Sequence, residues 1–203
     1  EDGLHGGWSN CCAGLSRINY WKFVKKWGET MIAGQEFPIF QRDLYDLFGD
    51  PAEDADYLKV LDFGEFSYAF SHVKDYEGNA WRHRIYAHIL MADPLRKAFG
   101  SLVDRGIFDE LKTFDGCFNI RRMKGSNSMS IHSWGLAVDF NAADNPFGGP
   151  VEFSDAFIRC FADAGFEAGS LWRRPDGMHF QLPWTQDWRE SDNPLKPVVF
   201  EEV

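Results

Sequence analysis

At 203 residues, with 31 acidic against 21 basic side chains and a net charge of −10, the chain is expected to form one domain, or one domain with a sizeable extension. The acidic balance argues against a nucleic-acid partner, because holding a phosphate backbone takes clustered lysine and arginine. An apolar fraction of 44%, including 19 Phe and 8 Trp, provides for a substantial buried core, and no apolar run approaches the roughly 20 residues of a membrane-inserting helix.

In chain order, residues 1–80 are expected to be an N-terminal extension or small accessory region. Their segment INYWKFVKKWGETMI places Ile18, Trp21, Phe23, Val24 and Trp27 at loosely helical spacing. Packing onto the main domain is preferred to a wall- or partner-binding arm, because exposed apolar residues need a cover. Cys11 and Cys12 are adjacent, Cys117 and Cys160 lie far apart, and there is no CxxC pair, so reduced thiols are expected. No secretory signal is visible, and synthesis in the cytoplasm is the expectation.

The stretch YLKVLDFGEFSYAFSHV, rich in aromatic and branched residues, reads as one or two strands, and Trp81–Met91 as another that carries His83 and His88. Asp93 is expected to cap a helix with Pro94 at its first position, Leu95, Ala98, Phe99, Leu102 and Val103 on one face, and Gly106 as the stop. A second helix is expected after Ser154 as N-cap, with Phe153 and Ile158 as a hydrophobic staple and Gly165 as the stop. Residues 187–203 read as a C-terminal tail.

The chemistry concentrates between these helices and after them. In LAVDFN, Leu136, Val138 and Phe140 alternate with Ala137, Asp139 and Asn141, the period of a strand with one buried face. In MHFQL, Met178, Phe180 and Leu182 alternate with His179 and Gln181 in the same way. If the two strands are neighbours, Asp139 and His179 converge, and His132 on the preceding loop is the natural third ligand. Two imidazoles and one carboxylate are a known ligand set for catalytic zinc with an open fourth position, where a bound water has a pKa near 7. Asp176, three residues before His179, is placed to act as general base. Arg121 can polarise a scissile carbonyl or hold its oxyanion, and Ser130 can contact the substrate backbone. Each pattern is weak alone, since a histidine beside apolar residues is commonly a hydrogen-bonded core residue and Asp139 fits a turn or cap. Neither HExxH nor GxSxG nor a P-loop competes.

The composite Ser130-x-His132-x-x-Gly135-x-Ala137-x-Asp139, closed by Asp176-x-x-His179-Phe180, resembles the zinc peptidases that comprise D-alanyl-D-alanine carboxypeptidases and L-alanyl-D-glutamate endopeptidases, many of them phage endolysins. The resemblance runs from about Arg84 to Pro183, through GCFNIRRMKGSNS, Asn141, Asn145–Pro146 and GFEAGSLWRRPDGMHFQ. It implies an α+β fold: a small, mainly antiparallel sheet carrying a zinc site, helices on one face, and a catalytic domain over residues 81–186. It makes His132, Asp139 and His179 the zinc ligands, Asp176 the base, Arg121 the carbonyl contact and Ser130 a substrate contact. The implied partner is a peptidoglycan stem peptide at the cell wall, with a monomer favoured. Asp rather than Glu at 176 favours the endopeptidase branch over the carboxypeptidase branch. Met178 stands where the family usually has Trp, and the first 80 residues have no counterpart. Hedgehog signalling domains resemble the same peptidases, so a non-catalytic, zinc-containing binding module is the alternative from another class. His5, His72, His83 and His88 are expected to be structural or surface residues.

Overall fold

The structure is a computed structural model that describes residues 44–45, 48–53 and 55–182. His5, the aromatic segment at 18–32, Cys11, Cys12 and the tail lie outside the described residues.

Strand β1 (Leu58–Asp62) pairs antiparallel with β3 (Arg84–His88), running from Leu58 opposite His88 to Asp62 opposite Arg84. The larger sheet has the order β2 (Lys74–Asp75), β4 (Thr113–Gly116), β5 (Ala137–Phe140), β7 (His179–Gln181), β6 (Glu167–Ala168). Only the short β2–β4 pair in it is parallel; the other three pairings are antiparallel. Helices α1 (Ala92–Asp104) and α2 (Asp155–Asp163) pack on each other. The fold is therefore α+β with a small, mainly antiparallel sheet, as expected.

The core is aromatic, and alternation on the central strands builds it. Phe140 of β5 and Phe180 of β7 point to the helices, where Phe161 of α2 stands 5.7 Å and 4.3 Å from them, and Phe99 of α1 stands 6.1 Å from Phe140. All four rings are fully buried, each contributing on the order of 1.5–3 kcal/mol of apolar transfer. The opposite face of β5 and β7 is left to Asp139, His179 and Gln181.

Three local expectations change. Beyond Asp62 the stretch expected to be strand turns into two 3₁₀ segments, Gly64–Phe66 and Ala69–His72. Phe63, Phe66 and Phe70 recur at near-helical spacing, and all three rings meet Phe99, at 5.2, 6.2 and 5.0 Å. The strand within Trp81–Met91 covers only Arg84–His88, after which Ile89–Met91 form a 3₁₀ turn that runs directly into α1. Asp93 consequently sits inside the first helical turn rather than capping it, because the chain is already helical when it arrives. Ser154 does cap α2, its Oγ accepting from the Phe157 backbone N–H at 3.1 Å, while Phe153 stacks on Phe157 at 4.1 Å. Phe70 also packs edge-on against Trp81 and Phe108, so the core runs continuously across residue 81.

Candidate metal centre

Strands β5 and β7 bring the centre together. Asp139 and His179 are direct cross-strand partners, and such pairs hold their side chains side by side on one face. His132 arrives from the 3₁₀ turn Ile131–Trp134, just before β5. That turn closes on Gly135, which has φ +65° and whose N–H bonds the His132 carbonyl at 3.0 Å. A Cβ on Gly135 would stand 2.7 Å from both the His88 backbone nitrogen and Leu58 Cδ2, so only glycine satisfies both the dihedral and the space.

The hydrogen bonds of the two imidazoles decide which nitrogens face the centre. His132 Nδ1 lies 2.6 Å from the Cys117 carbonyl, which can only accept, so Nδ1 carries the hydrogen and Nε2 offers a lone pair. His179 Nε2 lies 2.9 Å from Gln181 Oε1 and donates to it, which leaves the lone pair on Nδ1. The remaining donor atoms converge: His132 Nε2 to His179 Nδ1 is 3.2 Å, His179 Nδ1 to Asp139 Oδ1 is 3.0 Å, and His132 Nε2 to Asp139 Oδ2 is 3.3 Å.

Three lone-pair donors at such separations repel unless positive charge lies among them. Ligands about 2.0–2.1 Å from a tetrahedral ion stand about 3.3–3.4 Å apart, close to the separations observed here. His132, Asp139 and His179 thus form a group that fits a divalent metal ion. The electrostatics of Asp139 and His179 bear on that charge. Burial alone would raise the Asp139 carboxyl, but hydrogen bonding and the charge of the two imidazoles outweigh it and hold the acid well below its ordinary range. Burial would likewise depress His179, yet the Asp139 carboxylate outweighs it and raises the imidazole. Together the two directions keep the Asp139 carboxylate ionised and favour positive charge beside it.

Asp176 lies on the loop just before β7. Its backbone N–H bonds the Gly169 carbonyl at 2.9 Å, and its own carbonyl accepts from His179 N–H at 3.1 Å. Its Oδ1 is buried and has no hydrogen-bond partner among the described residues. Burial is the main cause raising this carboxyl, and the Asp139 charge adds to it, against the lowering pull of His179, His132 and Arg121. The Arg121 guanidinium is therefore within electrostatic reach of Asp176, although the residue itself is exposed. Arg121 is held at the base of the 122–129 loop, where its carbonyl accepts from Ser130 N–H at 2.8 Å and its N–H bonds Ser133 Oγ at 3.1 Å. Ser130 is almost wholly buried, and its Oγ caps the His132 turn by accepting from His132 N–H at 3.4 Å. That cap orients the ligand turn.

The asparagines of the resembling region do structural work nearby. Asn141, at φ +50°, accepts from the Lys112 and Thr113 N–H groups and donates to the Glu110 carbonyl, tying β4 to the end of β5. Buried Asn145 receives the Met178 N–H on its carbonyl and so fixes the run into His179. Cys117 and Cys160 are free and buried, with burial pushing the Cys117 thiol up. His72 bonds the Leu111 carbonyl, His83 faces Asp62, and His88 is buried between rings, all apart from the cluster. Gln181 was missed as a functional residue; its signal was a buried-strand polar side chain two residues from His179, on the same face.

Residues 124–182 match the family model for D-alanyl-D-alanine carboxypeptidase, less than a third of the chain. No curated protein and no solved structure matches. The matched residues include Ser130, His132, Asp139, Asp176 and His179, while Arg121 lies just outside them. The match and the three-donor group together support a metallopeptidase similar to these carboxypeptidases. No helix of the described residues is long and apolar enough to cross a membrane.

Proposed function

We propose that this chain is a zinc peptidase that hydrolyses an amide bond in peptidoglycan stem peptides, with L-alanyl-D-glutamate cleavage as its reaction. The observation that carries the proposal is the pairing of a three-donor cluster with a half-buried carboxylate, Asp176, that has a raised pKa and an unpartnered oxygen. Structural zinc sites fill all four positions with protein ligands; three donors leave one position open for chemistry.

His132, Asp139 and His179 would hold the ion, which when bound supplies Lewis acidity and makes water a nucleophile at neutral pH. Asp176 removes a proton from the attacking water as its oxygen bonds to the carbonyl carbon. It then delivers that proton to the departing amine as the C–N bond breaks, regenerating the carboxylate. The raised pKa suits the first transfer, because a carboxylate whose pKa lies nearer neutrality takes a proton from water more readily. Arg121 places positive charge where the carbonyl oxygen becomes negative. Ser130, after accepting from His132 N–H, keeps its own hydroxyl hydrogen for a substrate carbonyl.

The shorter acid at 176 supports the endopeptidase, whereas the matching family's description supports D-alanyl-D-alanine carboxypeptidase as the second reading. Mass spectrometry of muropeptides after digestion separates them. New L-alanine carboxyl and D-glutamate amine termini support the first reading, and loss of a single terminal D-alanine supports the second. Intact muropeptides with metal-loaded protein would make the chain a non-catalytic wall-binding module, and cleavage that survives a chelator would rule out the metal. Action at the wall after synthesis in the cytoplasm belongs to the same proposal.

A further inference from the structure

The proposed metal site rests on His179 presenting a lone pair at Nδ1, and a buried polar chain behind it bears on that tautomer. Gln181 is the cross-strand partner of Glu167, on β7 and β6 respectively, and is almost completely buried. Glu167 Oε2 accepts from Gln181 Nε2 at 3.0 Å, and Glu167 Oε1 accepts from Trp172 Nε1 at 2.6 Å. The Trp172 ring in turn lies against the His179 imidazole, with centroids 5.3 Å apart.

Only a carboxylate can serve both neighbours of Glu167, because the indole N–H and the amide N–H₂ are both donors. Glu167 therefore fixes which end of the Gln181 amide points back: nitrogen toward Glu167, oxygen toward His179. The amide oxygen in turn requires a hydrogen on His179 Nε2. Without that requirement a competing arrangement is self-consistent. With the Gln181 amide reversed, His179 Nε2 would accept, and Nδ1 would carry the hydrogen and donate it to Asp139 Oδ1, 3.0 Å away. That closed arrangement has no lone pair left for a metal on His179.

We propose that Glu167 and Gln181 form a polarity relay that holds His179 in its metal-donating tautomer and so sets the affinity of the site. Both are positioning residues, acting through His179. The proposal rests on His132, Asp139 and His179 being the metal site. Outer partners of ligating histidines commonly matter by about 10–100-fold in metal affinity.

The isosteric substitution Glu167→Gln tests it. The introduced side chain has one acceptor and one donor end. Trp172 can only donate, so the acceptor end goes to the indole and the donor end to Gln181, whose amide reverses. Zinc affinity, measured by competition with a chromogenic chelator, should fall about 10–100-fold. Nitrogen-15 shifts of His179 in the metal-free protein should move the hydrogen from Nε2 to Nδ1. Adding Gln181→Glu should restore both readouts: the new carboxylate accepts from His179 Nε2–H and from the new amide, whose oxygen still takes the Trp172 N–H. A purely packing role predicts no such rescue, so E167Q/Q181E behaving no better than E167Q would overturn the relay. So would E167Q with wild-type affinity and an unchanged tautomer. Wild-type protein that takes up no zinc would overturn the metal site itself, an outcome distinct from either.

Discussion

His179 and His88 are both buried histidines on strands, and their surroundings give them opposite characters. His179 faces the Asp139 carboxylate and two further polar groups, which raise its pKa against the effect of burial. His88 is wedged between the rings of Phe48 at 4.5 Å and Tyr57 at 4.8 Å, and burial alone pulls its pKa down to about 3. Burial does not make a histidine functional; convergent donors do. The two regions are also joined, because Gly135 ends the turn that presents His132 and accepts the His88 backbone N–H at 3.0 Å.

The largest effect should come from cutting the comparison at its polar end. His179→Ala or His132→Ala removes one of three donors, and neither variant should retain stoichiometric zinc after dialysis, by atomic absorption. His88→Gln should retain it fully. Metal content that is equal in all three variants would break the distinction between the two histidines.

Next in size is Asp176→Asn, which keeps the donor set and removes the proton carrier. Turnover of a muropeptide should fall about 10²–10⁴-fold with zinc content unchanged. Stability should move the other way. Asp176 has a folded pKa raised mainly by burial, so its protonated form is the one the fold prefers. The stability it lends is complete below the unfolded value of 3.8 and is lost as pH rises through the higher folded value. At neutral pH, therefore, the metal-free Asn variant should melt above the wild type, and the advantage should vanish below that window. A lower melting temperature at pH 7 would mean that the carboxylate is structural.

How much of this was legible in the sequence follows from the physics of each feature. The central strands were, since period-two alternation puts Phe140 and Phe180 on one side and Asp139 and His179 on the other. The Ser154 cap was legible because a capping hydroxyl acts over three residues. The 63–72 stretch was not: its aromatic residues suit strands by composition, and only the tertiary target, Phe99, turns their spacing into 3₁₀ turns. The inward aim of Ser130 was hidden for the same reason, because a cap forms only once the His132 turn exists. The outer relay was least legible of all. Glu167 lies 14 residues before Gln181, and their contact depends on β6 pairing with β7.

A smaller effect, at the junction of the two regions, is expected of Gly135→Ala. The left-handed dihedral costs an alanine about 1–2 kcal/mol, and its Cβ would meet the His88 backbone and Leu58 at 2.7 Å. Urea unfolding of the metal-free protein should show at least that loss. Zinc affinity should fall as well, since relief of the clash displaces the turn that carries His132. Loss of stability with unchanged affinity would show that the His88 region and the centre are mechanically independent.

The smallest effect at neutral pH is expected of His88→Gln, and its value lies in the pH dependence. His88 Nδ1 accepts from Leu90 N–H at 3.1 Å, so Nε2 carries the hydrogen, and it has no partner among the described residues. Burial disfavours an imidazolium there, which is why the folded pKa lies at about 3 against 6.5 for the free side chain. The unfolded chain then binds the extra proton first as the medium acidifies. The stability that neutral His88 lends is full above pH 6.5 and drains away as pH falls toward 3. Glutamine keeps an acceptor for Leu90 N–H and does not titrate. Denaturation of both metal-free proteins at pH 7, 5.5 and 4.5, values that span about the window between the two pKa limits, should therefore show wild type losing ground to the variant at each step. The difference curve cancels the acid response of the groups that both proteins share. Parallel stability curves would mean that His88 takes up a proton in the fold at no cost, and the contrast with His179 would then be one of position rather than of electrostatics.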